Sequence, residues 1–428
     1  MLNRFFQINQ LQTTFKTECF AGLTTFITMA YILMVNPAIL ADAGMDKGAV
    51  FTATVITITI GTLLCGLLSN LPIAIAPALG LNTFFAFIVV QKIGFTWQEG
   101  LGAVLIAGII FLILSLLRIR QWVINAIPHT LHMAIAAGIG LFLAVVGLKE
   151  MHILIINSET GFGVGQIFTP EVGLGFMGFG LMILFDKLRT PGPILLGIII
   201  TTVLSMALGY AHFNGIMTLP PSIKPTLWAF NLDALARPNG ISVIFTFVLI
   251  ALFDSTGTLI GLLHQAKLNN RQGISKALVA EGVATVVGSL AGTSTTSPYI
   301  ESAAGIASGG RSGLTACVVS LLFFSTLFFA PLAESVPAFA CAPALLYVAC
   351  KMLGNLAYIK WRDPIEAIPS LLTVIMIPLT FSIANGIAFG FVIYIALLLL
   401  TGRWRSIEWS SSILFILFVF FLIFTKGH

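Results

Sequence analysis

GTSTTSPYIESAAGIASGG, residues Gly292 to Gly310, lies between long apolar runs. It is nevertheless built from small and hydroxyl residues, with Pro298 and one carboxylate, Glu301. Hydrocarbon tolerates irregular backbone only where protein surrounds it, because every free N–H and C=O needs a partner. One reading is an external loop. The other is a broken membrane segment, with irregular backbone to about Ser297 and then a short half-helix opening at Pro298. Such a half-helix presents free N–H groups and partial positive charge at its start, which suits a polar ligand. The apolar helices that follow at once favour the broken segment.

The rest of the chain supplies the membrane that this reading needs. The 428 residues are 58% hydrophobic and 9% charged, with a mean hydropathy of +1.03, outside the range of soluble domains. Repeated apolar stretches near 20 residues predict an all-α polytopic membrane protein. The net charge of +5 is spread over loops and gives no nucleic-acid signal. The five cysteines lie in apolar segments without metal or paired spacing and read as packing residues. Residues 1–17 carry no apolar core or cleavage site, so no cleaved signal peptide is expected.

Seven apolar segments precede the polar interval TLPPSIKP and seven follow it, the third near 74–90 and the tenth near 298–307. With the N-terminus inside, sixteen of the 21 basic residues fall on the cytoplasmic side and five on the other. That bias predicts fourteen segments with both termini cytoplasmic. An odd number per half inverts the second seven relative to the first, which points to a transporter whose site lies where broken segments meet. The third segment, PIAIAPALGLNTFFAF, corresponds to the tenth and is interrupted by Pro72 and Pro77. A last run, residues 413–424, is too short to span upright and reads as interfacial or tilted, with Trp404 and Trp409 suited to headgroups.

Among sixteen acids, only Asp254, Glu281 and Glu301 fall inside apolar segments. A carboxylate there is costly and marks function unless a structural partner explains it. Asp254 sits mid-segment in FVLIALFDSTGTLIGL, among Ser255, Thr256 and Thr258. Glu281 lies about a turn inside a cytoplasmic end, where snorkelling or capping accounts for it. Asn82 both donates and accepts, which fits a ligand doing the same and equally fits helix packing. Phe84 and Phe85 fit stacking on a flat ring or an ordinary core position. Ser297 and Tyr299 offer backbone N–H groups on either side of Pro298, as do residues 78–80 in the third segment. The hydroxyls of TTFITMAYILMVNP suit a cavity lining or packing. Histidines sit at segment ends or in loops, giving no metal site, and no P-loop, nucleophile-elbow or zinc-protease motif occurs, so no enzyme is expected.

TTFITMAYILMVNP, IAPALGLNTFFAF, FDSTGTLIG, GTSTTSPYIESAAGIASGGRSGL and IPLTFSIANGIAFG occur in this order. Together they resemble the AzgA-like purine permeases, carriers of adenine, guanine and hypoxanthine in the nucleobase–ascorbate transporter superfamily. The resemblance runs from about Glu18 to Arg403. It implies two inverted seven-segment repeats divided into a core domain (18–118 and 241–331) and a gate domain (129–210 and 336–402), followed by a tail (403–428). It implies proton-coupled uptake of a purine base across the cell membrane by movement of core against gate, often within a homodimer, with no cofactor beyond the proton gradient. The family's segment-eight acid falls on Asp254, its segment-ten acid on Glu301 and its segment-three polar residue on Asn82. Those positions are also the ones the residues themselves single out. With Tyr299 and Phe84 they form the expected binding set, and Asp254 the expected proton carrier. The family pattern places a second acid one turn before Asp254, where this chain has Ala251. The same architecture also suits carriers of uracil, xanthine, ascorbate or an inorganic anion, or a passive channel.

Overall fold

A computed structural model describes residues 5–117, 127–157, 161–237, 239–266, 268, 271–380, 382–403 and 407–424. Trp404 lies outside these, as do Arg4, Arg118, Arg120, Lys267, Arg405 and Lys426 from the basic-residue bias. In chain order the helices are α1 (Phe15–Ala41), α2 (Lys47–Ser69), α3 (Leu79–Lys92), α4 (Trp97–Leu116), α5 (His129–Glu150), α6 (Pro170–Lys187) and α7 (Pro193–Ala207). The second set is α8 (Gly240–Ala266), α9 (Arg271–Ala291), α10 (Ser302–Ala307), α11 (Gly313–Glu334), α12 (Ala338–Tyr358), α13 (Pro364–Thr380) and α14 (Ile383–Leu400). A further helix, α15 (Trp409–Phe424), closes the chain. Among the described residues seven helices are long and apolar enough to cross a membrane, and six shorter apolar helices accompany them. Seven segments in each half, the third and tenth broken, is the architecture the sequence predicts.

Local chemistry sets the helix starts. Thr14, Asp46 and Thr169 cap α1, α2 and α6 by accepting backbone N–H bonds, from Thr17, Ala49 and Val172. Thr96 and Glu99 form a reciprocal capping box on α4. Gly192 precedes α7 at φ 67°, with the Ile27 carbonyl oxygen 2.7 Å from where a Cβ would stand. Only glycine combines that dihedral with that approach.

The helices fall into two packing groups. Helix α1 packs on α10 and α11, α2 on α9 and α11, and α4 on α8 and α9. In the other group α5 packs on α12 and α13, α6 on α7 and α12, and α13 on α14. Thinner seams join the groups, including α1 with α12 and α3 with α5.

Two local expectations are corrected. Residues 296–298 are not irregular: Thr296–Pro298 (β4) is a strand antiparallel to Ile75–Pro77 (β1), in the register Ile75↔Pro298, Ala76↔Ser297 and Pro77↔Thr296. The tenth half-helix therefore opens at Ser302 rather than Pro298. Proline's missing N–H is tolerated equally at a helix start and at a strand edge, so composition does not separate the two. The C-terminal run forms a 16-residue helix, still outside the seven long enough to span, and it lies on α8 and α14 with Phe418 wholly buried against Phe245 and Phe391. A second antiparallel pair, β2 (Leu154–Asn157) with β3 (Gly161–Val164), lies between α5 and α6 and has no counterpart in the sequence reading.

Candidate functional site

The two broken segments meet at the β1–β4 pair. Beyond the ladder, Ala78 N–H donates to Thr295 O at 2.9 Å and Tyr299 N–H to Ala74 O at 2.9 Å. Side chains satisfy other backbone groups: Ile75 N–H donates to the Thr62 hydroxyl (3.0 Å), Ala74 N–H to Ser302 (3.1 Å) and Thr296 N–H to Thr285 (3.2 Å). This is how non-helical backbone survives in an apolar setting. It also corrects the expected donors. The N–H groups of Ala78 and Tyr299 are committed to the opposite segment, leaving those of Leu79 and Gly80, in the first turn of α3, without an intrahelical acceptor.

Glu301 follows β4 at the mouth of α10. Its carboxylate Oε1 accepts a hydrogen bond from the Tyr31 hydroxyl at 2.6 Å, and its carbonyl accepts from Thr28 at 3.4 Å. Tyr31 is almost wholly buried and stands where α1 is interrupted between Met29 and Ile32. Tyr299, also buried, donates its hydroxyl to Pro77 O at 2.8 Å on the facing strand, and the Tyr31 hydroxyl lies against its oxygen. Asp254 is partly buried on α8, with the Ser297 hydroxyl of β4 against its carboxyl. Glu301, Tyr299 and Asp254 therefore gather around one strand.

Asn82 has a different neighbourhood. Its amide donates to Asn36 Oδ1, and Asn36 donates in turn to Thr54 (2.7 Å) and Thr293 (3.0 Å). This buried chain stitches α1, α2, α3 and the run before β4 together. Among the described residues, Asn82 Oδ1 and the hydroxyls of Ser294 and Thr295 are buried without a partner. Phe84 is buried edge-to-face on Phe247 of α8, 5.2 Å between ring centres, a core contact beside the site.

Several residues escaped sequence reasoning. Glu281 neither snorkels nor caps: it is wholly buried and accepts a hydrogen bond from Ser255, next to Asp254. Glu18 is buried too, accepting from Arg311 N–H (3.0 Å), Ser312 N–H (3.2 Å) and the Thr315 hydroxyl (2.6 Å). Arg311 in turn donates to Ile306 O at 2.6 Å, anchoring the far end of α10. Tyr31 and Asn36 lay in the hydroxyl-bearing first segment, but their partners are too distant in sequence for spacing to reveal them.

Comparison with known proteins agrees with this architecture. A model of a permease family (Xan_ur_permease) matches residues 16–389. The chain is similar to adenine permease AdeP of Escherichia coli (strain K12), 42% identical over 432 residues, covering 100% of this chain and 97% of that one. It is also similar to guanine/hypoxanthine permease PbuG of Bacillus subtilis (strain 168), 40% identical, covering 99% and 100%. Among solved structures, the transmembrane domain of the cyanobacterial bicarbonate transporter BicA superposes with a TM-score of 0.67 at 17% identity, covering 87% of this chain and 96% of that domain. That likeness is one of fold.

Proposed function

The chain belongs to this permease family, and from that premise we propose that it carries a purine nucleobase, adenine, guanine or hypoxanthine, into the cell together with a proton. The observation that carries the reading is end-to-end identity of 40–42% with proteins named adenine and guanine/hypoxanthine permeases. The site chemistry supports it. A purine is flat and mostly uncharged near neutral pH, and its edge alternates N–H donors with ring acceptors. Glu301, steadied at one oxygen by Tyr31, accepts from the base's N–H groups through its other oxygen. The N–H groups of Leu79 and Gly80 serve the ring acceptors. Charge-assisted bonds of this type contribute about 1.5–3 kcal/mol each, enough to select a base with the matching edge.

Asp254 is the proton carrier in this scheme. Neutralising it lets the group of α1–α4 and α8–α11 move past the apolar surface of α5–α7 and α12–α14 without dragging a bare charge. The protein works in the cell membrane with both termini in the cytoplasm, as a homodimer in keeping with the family resemblance. A bicarbonate-type substrate fits less well, since a carboxylate at the site repels anions.

Uptake of radiolabelled adenine, guanine, hypoxanthine and uracil, in cells lacking their own carriers, tests the proposal with and without a protonophore. Saturable purine uptake abolished by the protonophore is expected, with loss of accumulation in Asp254→Asn. Uptake of none of the purines would overturn it, and protonophore-insensitive uptake would remove the proton.

A further inference from the structure

The buried chain through Asn82 and Asn36 has a direction, and Thr54 sets it. The Thr54 hydroxyl donates to Val50 O of its own helix, α2, at 2.7 Å. Its proton is thereby committed, and toward Asn36 its oxygen acts as acceptor of the 2.7 Å bond from Asn36 Nδ2. The Asn36 nitrogen therefore lies on the side of Thr54 and Thr293, and its Oδ1 on the side of Asn82. Asn82 must then turn its own nitrogen to Asn36, which leaves its Oδ1 as the outward end. Turning both amides over would draw the Thr54 proton away from Val50 O and leave the Asn36 nitrogen one acceptor in place of two. Thr293 accepts from Asn36 at 3.0 Å, but a hydroxyl can equally donate, so it fits either direction.

Packing explains a buried asparagine pair that joins helices. It does not explain why the chain ends on a bare acceptor. Asn82 is wholly buried, yet among the described residues its Oδ1 has no partner, an arrangement that costs free energy. This end lies where the broken segments cross. Asn82 N–H donates to Ala78 O at 2.8 Å, and Ala78 N–H donates to Thr295 O at 2.9 Å. Leu79 and Gly80, with their open N–H groups, precede Asn82 within the same turn of α3. Resting on the purine reading above, we infer that Thr54, acting through Asn36, holds Asn82 with its oxygen toward the base, so that the base is recognised there by an N–H on its six-membered ring. Adenine supplies its 6-amino group, and guanine and hypoxanthine supply the ring N1–H. Unsubstituted purine has the imidazole N–H alone. Glu301 takes that group in every case, so purine turns only a nitrogen lone pair to the Asn82 oxygen. Thr54 and Asn36 are positioning residues that act without touching the base.

Competition binding to the purified full-length protein tests this with two probes. One is unsubstituted purine; the other is whichever of adenine, guanine and hypoxanthine binds the wild type most tightly. The wild type is expected to prefer that base over purine by about tenfold or more, the effect of leaving a buried acceptor unpaired. Thr54→Val keeps the side-chain shape and removes the lock, so the amide pair is free to turn and offer an N–H. Affinity for the base is then expected to fall while affinity for purine holds or rises, bringing the preference to about threefold or less. Thr54→Ser is expected to keep the wild-type preference. Equal affinities in the wild type would overturn the inference. So would a wild-type preference in Thr54→Val, including one in which both affinities fall together, which would make Thr54 structural. Loss of the preference in Thr54→Ser would also overturn it. Binding of none of the three bases would instead overturn the purine reading, and the inference with it.

Discussion

Removing one oxygen from Tyr31 is the sharpest perturbation of the site. The Tyr31→Phe ring keeps its place in the core, and the bond to Glu301 disappears together with the contact between the Tyr31 and Tyr299 hydroxyls. That bond is 2.6 Å long, within the range of a hydroxyl donating to an ionised carboxylate. Bonds of this type are worth about 1.5–3 kcal/mol net, equivalent to about 10- to 150-fold in affinity. Because the hydroxyl bears on binding by aligning the carboxylate, its removal matters to affinity chiefly while the carboxylate is there. The assay is a binding cycle on purified protein, with purine affinity measured for wild type, Tyr31→Phe, Glu301→Gln and the double variant. Each single change is expected to weaken binding about tenfold or more. In the Glu301→Gln background, Tyr31→Phe is expected to cost less than about 0.5 kcal/mol. Additive losses, or an unchanged affinity in Tyr31→Phe, would refute the reasoning.

Two further outcomes follow from packing and charge. A Cβ at Gly305 would sit 2.1 Å from Thr25 Oγ1 and 2.6 Å from Ala21 O, forcing α10 off α1. Gly305→Ala is expected to destabilise by about 1–3 kcal/mol in a thermal-shift assay and to weaken purine binding, whereas Gly354→Ala, with open space around it, leaves both unchanged. At the end of α1, the Asp42 carboxyl is tucked against its surroundings beside Glu150, although the residue as a whole is exposed. Its pKa is pushed up from the ordinary 3.8 to about 7. The folded state therefore holds more protons than the unfolded chain between those values, and stability falls as pH rises through that window. Melting curves at pH 5 and pH 8 should show a smaller drop for Asp42→Asn than for wild type; an equal drop would contradict the assignment.

The broken segments were legible because prolines and hydroxyl clusters in a hydrophobic chain have few physical explanations. Asp254, Glu301 and Asn82 stand out in the sequence because polar groups at membrane depth are costly. What sequence concealed was pairing over long distances. Tyr31 and Glu301 are 270 positions apart, and nothing in either neighbourhood names the other. Glu281 was misread because its nearness to a segment end suggested an outlet to water. In the structure α9 packs against α2 and α4, and that outlet is closed. Glu18, at the very start of an apolar run, was passed over for the same reason and turned out to hold the loop after α10. Pro298 was read as a helix start because a three-residue strand has no periodicity to announce itself.

The short ribbon of β1 and β4 bears on how the protein is made. Its strands are separated by more than 200 residues, and the chain emerges from its N-terminus first. While the first half is in the bilayer alone, Ile75 to Ala78 have backbone groups whose partners have not been synthesised. They must be sheltered by other means until residues 295–299 arrive. The first half alone therefore cannot form the site, and the two halves made as separate chains can complete it only by finding each other in the membrane.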